Sequence, residues 1–164
     1  EEERQGRRKA QGVAGDPGSN EVDVREHGRR GGDESKRVIP AGNYGGPLVT
    51  HGIDYPLGSG SPFRHLKDFE DPLLTWTPSI APAGLAIYRG EACPEWQGNL
   101  LVPALQERSR RRVIREQGRI VGQQLLLSER NDRVRDVEFG PDGLIEIGRE
   151  SCRDRVWTWV VAGT

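Results

Sequence analysis

The stretch Val134-Arg135-Asp136-Val137-Glu138-Phe139, followed by Gly140-Pro141-Asp142-Gly143, decides the fold class. β-Branched and aromatic residues are spaced among charged ones, which is typical of a half-buried strand. The Gly-Pro-Asp-Gly cluster that follows combines the residues that favour a tight turn. We therefore expect a short strand that ends in a turn at this position.

The same combination of a short run and a turn recurs along the chain. Residues 21–25 alternate strictly after the turn cluster Asp16-Pro17-Gly18-Ser19. No apolar stripe with a helical period extends over three turns, and the best helical candidate, residues 104–117, has its apolar positions bunched at its ends. The pattern predicts an all-β fold of the sandwich, barrel or propeller type. Further candidate strands lie at residues 85–88, 99–102, 119–121 and 124–127.

The composition agrees with a turn-rich protein that has a small core. The chain has 164 residues, of which 34% are hydrophobic and 30% are charged, with 22 glycines and 11 prolines. The net charge of −1 provides no global field that would recruit nucleic acid or an acidic membrane surface. No stretch approaches the roughly 18–20 apolar residues that a membrane span needs. Two cysteines exclude a disulfide-dense scaffold and a four-cysteine zinc site.

Two long segments read as loops rather than strands. Residues 27–47 are glycine-rich, and residues 51–72 are polar with scattered prolines. Loops of this length are uncommon in a compact domain unless they line a site or are disordered. The first segment is the more interesting candidate because it carries Asp33, Glu34 and Tyr44.

The two ends of the chain are unusual. It begins at Glu1 without Met and shows no targeting segment. Residues 146–157 hardly sustain a period-2 pattern and resemble the translation of sequencing-adapter DNA. We therefore predict a folded region at residues 1–145 and an atypical, non-native tail at residues 146–164. The alternative is a genuine terminal strand at residues 156–160, where apolar and polar residues alternate.

Paired arginines are the first candidate for chemistry. Arg133 and Arg135 lie two residues apart, so they share a face if the segment is a regular strand. Two neighbouring guanidinium groups suit a ligand with carboxylates or phosphates. The alternative is a solvated strand face that Asp132 and Asp136 balance.

The segment from His27 to Glu34 is the second candidate. Its glycines let backbone carbonyls turn toward a ligand, and Asp33 and Glu34 supply hard oxygens, a donor set that suits calcium. The alternative is a flexible charged loop. The basic cluster in residues 108–119 lacks interleaved aromatic residues, which argues against nucleic-acid binding. No nucleophile elbow, P-loop or dinucleotide fingerprint occurs.

Six segments, taken in order, resemble the soluble sugar dehydrogenases that use pyrroloquinoline quinone, the glucose/sorbosone dehydrogenase family. Any one of the six is weak evidence, whereas the whole set in family order is strong. They lie at residues 8–14 (Arg8-Lys9-Ala10-Gln11-Gly12-Val13-Ala14), 26–34, 42–47 (Gly42-Asn43-Tyr44-Gly45-Gly46-Pro47), 76–84, 94–101 and 131–143.

The resemblance implies a six-bladed β-propeller, of which this chain is roughly the C-terminal half, with about three blades. It also implies pyrroloquinoline quinone and calcium as cofactors. Three isolated blades leave two apolar faces uncovered, so we expect marginal stability or association of the isolated chain.

The resemblance also assigns roles to individual residues. Arg8 lies near the reactive quinone oxygen and stabilises charge as hydride arrives. Backbone carbonyls of Gly28 and Arg29 hold the calcium that bridges to the quinone, and Glu34 with Tyr44 serves a second, structural calcium site. The remaining cofactor contacts come from the carboxylate-binding pair, the preceding histidine and a small hydroxyl residue: Arg133, Arg135, His27 and Ser79.

The sequence departs from the family pattern at several positions, namely Lys9, Ala10, Arg29, Gly46 and Gln106. The family's catalytic histidine lies in the other half of the protein, and no segment here matches it. We therefore expect that this chain alone does not turn over. The intact enzyme is expected to oxidise an aldose at its anomeric carbon by hydride transfer to the quinone and to pass electrons to an external acceptor.

Two other interpretations remain open. One is a propeller that binds a ligand without catalysis, since propellers host many functions. The other is a decayed remnant. Family members are typically periplasmic or secreted, and the resemblance implies that location here, with no nucleic-acid partner and no membrane span.

Overall fold

The structure is a computed structural model that describes residues 10–28, 31–52, 61–126, 131, 133–140, 144–149 and 156–160. The chain divides into two compact units, Glu1–Ala81 and Pro82–Thr164. Their described parts contain antiparallel β-sheet, and the one helical element there is a single 3-10 turn at Pro94–Trp96. None of the described residues forms a helix long and apolar enough to cross a membrane.

The first unit contains a four-stranded sheet in the order β1-β2-β3-β4, with every neighbouring pair antiparallel. The predicted turn cluster joins the first two strands. There the Asp16 carboxylate accepts a hydrogen bond from the Gly18 N–H at 2.9 Å, and Asn20 takes a positive φ of 56°. The strands are β1 (Ala10–Asp16), β2 (Glu21–Glu26), β3 (Asp33–Arg37) and β4 (Leu74–Trp76).

Strand β3 corrects the expectation that residues 27–47 form one long loop. Its sequence Asp-Glu-Ser-Lys-Arg contains no apolar residue, yet its first four residues are buried. Because a strand signal in sequence comes from alternating hydrophobicity, a strand whose charges pair with each other inside the protein gives no such signal. The loop that remains on its N-terminal side is short, from residue 27 to residue 32.

The second unit contains two sheets. The first has four antiparallel strands in sequential order: β5 (Ala86–Ile87), β6 (Leu100–Ala104), β7 (Ser109–Glu116) and β8 (Arg119–Leu126). Gln117 and Gly118, both with positive φ, form a two-residue turn of the kind that matches strand twist. The segment with the best helical pattern is thus a strand, β7. The expected separate strands at residues 119–121 and 124–127 fall on one strand, Arg119–Leu126, and residue 127 lies outside the described residues.

The second sheet of this unit has the order β11-β10-β9, with β9 (Val134–Phe139), β10 (Ile145–Arg149) and β11 (Val156–Val160). Strand β9 is the strand expected from the deciding stretch. Strand β11 coincides with the alternative interpretation of residues 156–160, and it pairs with β10 along all five of its residues. The boundary at residue 145 and the non-native origin of the tail stay predictions.

The hydrophobic core of the second unit joins its two sheets. Fully burying one large aliphatic side chain stabilises the folded state by about 1.5–3 kcal/mol. Trp96, Leu126 and Phe139 pack against this cluster from the side. Its buried members are Ala86, Tyr88, Cys93, Leu101, Val134, Val137, Ile145 and Ile147.

The interior of the first unit is far more polar. Strand β2 buries residues 23–26 on both of its faces, including Asp23, Arg25 and Glu26. Its buried hydrophobic residues among those described are Val24, Tyr44, Trp76 and Ile80. Buried charged residues of this unit contact several of the predicted site residues, namely Gly28, Ser79 and Glu34.

Candidate functional site

A single buried carboxylate organises the glycine loop between β2 and β3. Asp33 is the first residue of β3 and is 0% exposed. Its Oδ1 accepts a hydrogen bond from the Gly28 N–H at 2.9 Å. The carboxylate thereby holds the start of the loop that was expected to supply calcium ligands.

The other oxygen of Asp33 holds a second segment, residues 79–81. Its Oδ2 accepts hydrogen bonds from the Ser79 hydroxyl at 2.6 Å, the Ile80 N–H at 2.8 Å and the Ala81 N–H at 3.0 Å. Hydrogen bonds to an ionised carboxylate are stronger than neutral ones. Asp33 thus ties two predicted site residues, Gly28 and Ser79, to one point in the first unit, and its oxygens are committed to donors rather than to a cation.

Close backbone contacts explain the glycines in this loop. A Cβ at Gly28 would lie 2.2 Å from the carbonyl oxygens of Gly31 and Gly32. Gly31 and Gly32 have φ values of 101° and 68°, which side chains with a Cβ rarely adopt. The Gly32 N–H donates to the Trp76 carbonyl oxygen at 2.8 Å and to the Thr77 hydroxyl at 3.2 Å. The loop is therefore packed against the residues that follow β4.

The predicted cofactor-binding residues of the first unit differ in what the structure shows of them. His27, Gly28 and Ser79 are half-buried. Because the Ser79 hydroxyl donates its proton to Asp33, that oxygen has only lone pairs to offer to a further partner. Arg8 and Arg29 lie outside the described residues.

The residues expected to form a second calcium site, Glu34 and Tyr44, have other partners. Glu34 Oε2 lies 2.6 Å from the ammonium nitrogen of Lys36, and Glu34 Oε1 lies 3.4 Å from Nδ1 of His51. The Tyr44 hydroxyl donates to the Arg37 carbonyl oxygen at 2.6 Å and accepts from the Ile39 N–H at 2.7 Å. Among the described residues there is no group of three or more histidine, cysteine or acidic side chains that could hold a metal ion. The side chains present do not fit a bound divalent cation at this position.

The paired arginines lie at the start of β9 in the second unit. Arg133 and Arg135 are exposed, and Val134 between them is fully buried. The pairing with β10 shifts register here, so that Val134 faces Arg149 and Asp136 faces Gly148, which leaves Arg135 as the extra residue of a β-bulge. Bulges redirect side chains at functional edges of sheets. The bulge means that simple alternation does not fix whether the two guanidinium groups share a face.

Contacts with Gly84 hold this bulge in place. The Gly84 N–H donates to the Arg135 carbonyl oxygen at 2.9 Å, and a Cβ at Gly84 would lie 2.3 Å from Asp136 Oδ1. The Asp136 carboxylate accepts from the Val137 N–H at 3.0 Å. Exposed arginines on a firmly held bulge fit an anionic ligand with carboxylate groups.

The organising roles of Asp33 and Gly84 were missed by sequence reasoning. Asp33 was recognised as a polar residue of the loop, but its sequence context does not distinguish a carboxylate that binds backbone N–H groups from one that binds a cation. The signal that could have suggested the structural role of Asp33 is the pair of glycines directly before it, Gly31 and Gly32, at the start of a strand.

Comparison with known proteins shows the family. The profile of the family Glucose / Sorbosone dehydrogenase matches residues 4–157. Aldose sugar dehydrogenase YliI from Escherichia coli (strain K12) is 35% identical over 147 residues, which are 87% of this chain and 39% of that protein.

Solved structures also match this chain. A glucose dehydrogenase matches with a TM-score of 0.87 and 35% identity, over 97% of this chain and 45% of its own. The PQQ-bound form of aldose sugar dehydrogenase from Streptomyces coelicolor, at 23% identity and a TM-score of 0.67, covers 93% of this chain and 43% of its own and shares the fold. The chain thus spans less than half the length of these proteins. The predicted all-β class and partial β-propeller are confirmed, and the chain belongs to the glucose/sorbosone dehydrogenase family.

Proposed function

We propose that this chain contributes the cofactor-holding part of a quinone-dependent oxidoreductase that oxidises aldose sugars at the anomeric carbon. The single observation that carries the proposal is the Asp33 carboxylate, which holds Gly28 and Ser79 at once. The buried Asp33 carboxylate accepts four hydrogen bonds from two segments of the chain and so fixes their positions. A binding site for a rigid cofactor requires such fixed positions.

Each residue then has a distinct task toward the quinone and its calcium. Carbonyl oxygens of Gly28 and Arg29 serve calcium, since calcium prefers oxygen ligands. Arg133 and Arg135 bind the cofactor's carboxylates. Ser79 accepts a hydrogen bond, because its own proton is committed to Asp33. When bound, the quinone supplies a two-electron acceptor and calcium a Lewis acid that polarises it.

Charge stabilisation and proton removal are divided between this chain and the rest of the protein. Arg8, a permanent cation, would lie near the reactive quinone oxygen and would stabilise the negative charge that the bound cofactor gains when it accepts hydride from the sugar. The base that removes the sugar hydroxyl proton is contributed by the part of the propeller that this chain does not span. His27 is assigned to cofactor binding, and none of the histidines here takes the role of that base.

The wider setting follows from the same proposal. An aldose is the substrate, an external carrier accepts the electrons, and the protein acts in the periplasm or after secretion. Cell fractionation tests the location, and a finding of cytoplasmic protein alone contradicts that part of the proposal.

Calcium-dependent binding of the quinone tests the function. Isothermal titration of the chain with pyrroloquinoline quinone, with and without calcium, should show binding that needs the metal. Because each charge-assisted hydrogen bond contributes on the order of 1.5–3 kcal/mol, Arg133→Ala and Arg135→Ala should each weaken binding by about tenfold or more.

Arg119→Ala is the matched control, since Arg119 is also an exposed arginine on a strand of the second unit. Equal losses in the control and in the two β9 variants would contradict the assigned carboxylate contacts. Absence of quinone binding to the folded full-length protein that contains this chain would contradict the function itself and favour a non-catalytic binding propeller.

A further inference from the structure

A buried lysine lies between two buried carboxylates in the first unit. The Lys36 ammonium nitrogen is 2.9 Å from Glu26 Oε2 and 2.6 Å from Glu34 Oε2. The exposed fractions of the side chains are 5% for Lys36, 1% for Glu26 and 5% for Glu34. All three are thus removed from solvent while one cation faces two anions.

Strand register brings these groups together. Glu26 of β2 lies opposite Glu34 of β3, and Val24 lies opposite Lys36. Side chains two apart on a strand share a face, so Glu34 and Lys36 project to the same side as Glu26. The arrangement is therefore built into the sheet rather than produced by a flexible surface side chain.

Two further side chains contact the members of this cluster. The Lys36 ammonium also lies 5.5 Å from the centre of the Tyr44 ring, a favourable distance for a cation over an aromatic face. His51 approaches Glu34 Oε1 from the other side at 3.4 Å. Two carboxylates buried together need compensating positive charge, and Lys36 supplies it within hydrogen-bond distance of both.

A calcium ion cannot share this position with the ammonium group. Calcium takes six to eight oxygen ligands at about 2.3–2.6 Å, so an ion bound to Glu34 Oε2 would meet the Lys36 ammonium at the same oxygen. The Tyr44 hydroxyl already donates to the Arg37 carbonyl and accepts from the Ile39 N–H. We propose that the Lys36 ammonium takes the place of a structural metal between Glu26 and Glu34, so that this cluster is held by an internal cation and binds no calcium.

Removing the ammonium tests the proposal. In Lys36→Ala the two carboxylates lose their cation, and added calcium should raise the melting temperature by about 5 °C or more at a hundred times its dissociation constant. That gain should disappear in the double variant Lys36→Ala/Glu34→Gln. Lys67→Ala is the matched control, since Lys67 is an exposed lysine of the same unit, and it should respond to calcium as the unchanged chain does.

A second measurement keeps the proposal testable if Lys36→Ala does not fold. Equilibrium dialysis with calcium counts the ions bound by the unchanged chain and by Glu34→Gln, in the absence of quinone. Equal counts support the internal cation. A lower count for Glu34→Gln means that Glu34 is a calcium ligand despite Lys36 and overturns the proposal. The outcome is independent of the proposed function, because neither experiment involves the quinone or the sugar.

Discussion

Asp33 shows how one side chain fixes the positions of two loops. In Asp33→Asn the residue keeps its shape, but one acceptor oxygen becomes an NH₂ group that faces the N–H donors of Gly28 or of residues 80–81. We expect a loss of about 2–3 kcal/mol in the free energy of unfolding. Urea unfolding measures it.

Ser79→Ala is the control for Asp33, because it removes one of the four donors and leaves the carboxylate intact. It should cost about 1 kcal/mol. If both variants cost the same, Asp33 does not act on the two loops together, and the basis of the proposed cofactor site fails.

Tyr88 carries the second prediction at the level of single residues. Burial raises the pKa of its phenol, partly offset by the Cys93 N–H that donates to its oxygen at 3.0 Å. A raised pKa in the folded state adds stability that is present below the unfolded value of about 10 and is lost as the pH rises through the folded value.

We expect Tyr88→Phe to remove this loss of stability at alkaline pH. At neutral pH the same variant should cost about 1 kcal/mol, because the Cys93 N–H loses its acceptor. Chemical unfolding measured at about pH 8 and about pH 11 makes the comparison. An unchanged alkaline slope in the variant would assign that slope to another group.

These residues show the limit of what sequence predicts at this scale. Arg133 and Arg135 were noticed because two like charges are close in the chain. The role of Asp33 depends on partners that lie 46 to 48 residues further along the chain. The role of Lys36 depends on Glu26, which lies on the facing strand. Burial and long-range partners are set by tertiary packing, and a single sequence does not display them.

The loop from residue 27 to residue 32 carries a prediction about backbone packing. Gly28→Ala places a Cβ 2.2 Å from two backbone carbonyl oxygens, and backbone cannot move aside as a side chain can. The expected loss is about 2–3 kcal/mol in the free energy of unfolding. Thermal and urea unfolding measure it.

Gly15→Ala in β1 is the matched control, since a Cβ there meets nothing within 4 Å. Its effect should stay within about 0.5 kcal/mol. Calcium-dependent quinone binding should weaken in Gly28→Ala and not in Gly15→Ala. The same loss of stability in both would mean that the loop is not closely packed.

The turn between β6 and β7 carries a prediction about pH. The Arg111 guanidinium bonds the Glu107 carboxylate and, with the Ser109 hydroxyl, holds the pKa of Glu107 below its usual value against the opposing effect of burial. Stability from this contact is present above the unfolded pKa of about 4.3 and is lost as the pH falls through the lower folded value.

Glu107→Gln should therefore flatten the acid side of the stability profile. Because the pair is partly exposed, the loss near neutral pH should be small, within about 0.2–1 kcal/mol. Glu91→Gln, at an exposed loop position, is the control and should keep the slope. The free energy of unfolding is measured between about pH 3 and pH 6 in both variants. If it depends on pH with the same slope in both, the prediction is wrong.

Strands were predicted from the sequence where apolar residues form an alternating pattern or an unbroken run, and missed where they form neither. Strand β2 alternates after a turn cluster, β6 is an apolar run, and β9 precedes the Gly-Pro-Asp-Gly cluster in the sequence. Strand β7 reads Ser-Arg-Arg-Arg-Val-Ile-Arg-Glu, and the arginines obscure its period although Val113 is fully buried. Long arginine side chains can line a sheet with their aliphatic stems, so polarity in sequence does not exclude a strand.

At the level of the whole molecule, the chain spans less than half the length of its relatives. Among the described residues, each unit has a sheet whose outermost strand exposes apolar side chains. β1 is the outermost strand of its sheet and exposes Val13 to 60%. β8 is outermost in its own sheet and exposes Val121 to 54% and Leu125 to 47%. Apolar side chains on an edge strand favour association, because strand edges and apolar surface both pair with other chains.

We therefore expect the isolated chain to self-associate through β8 at micromolar concentrations, and the double variant Val121→Thr/Leu125→Gln to reduce this. Sedimentation velocity over a range of concentrations measures it. Leu48→Gln is the control, since Leu48 is equally exposed, at 57%, but lies in a turn rather than on a strand edge. If the control suppresses association as well as the β8 variant does, hydrophobicity in general is responsible. If the unchanged chain is a monomer with a sharp, concentration-independent thermal transition, these outermost strands do not drive association and the prediction is wrong.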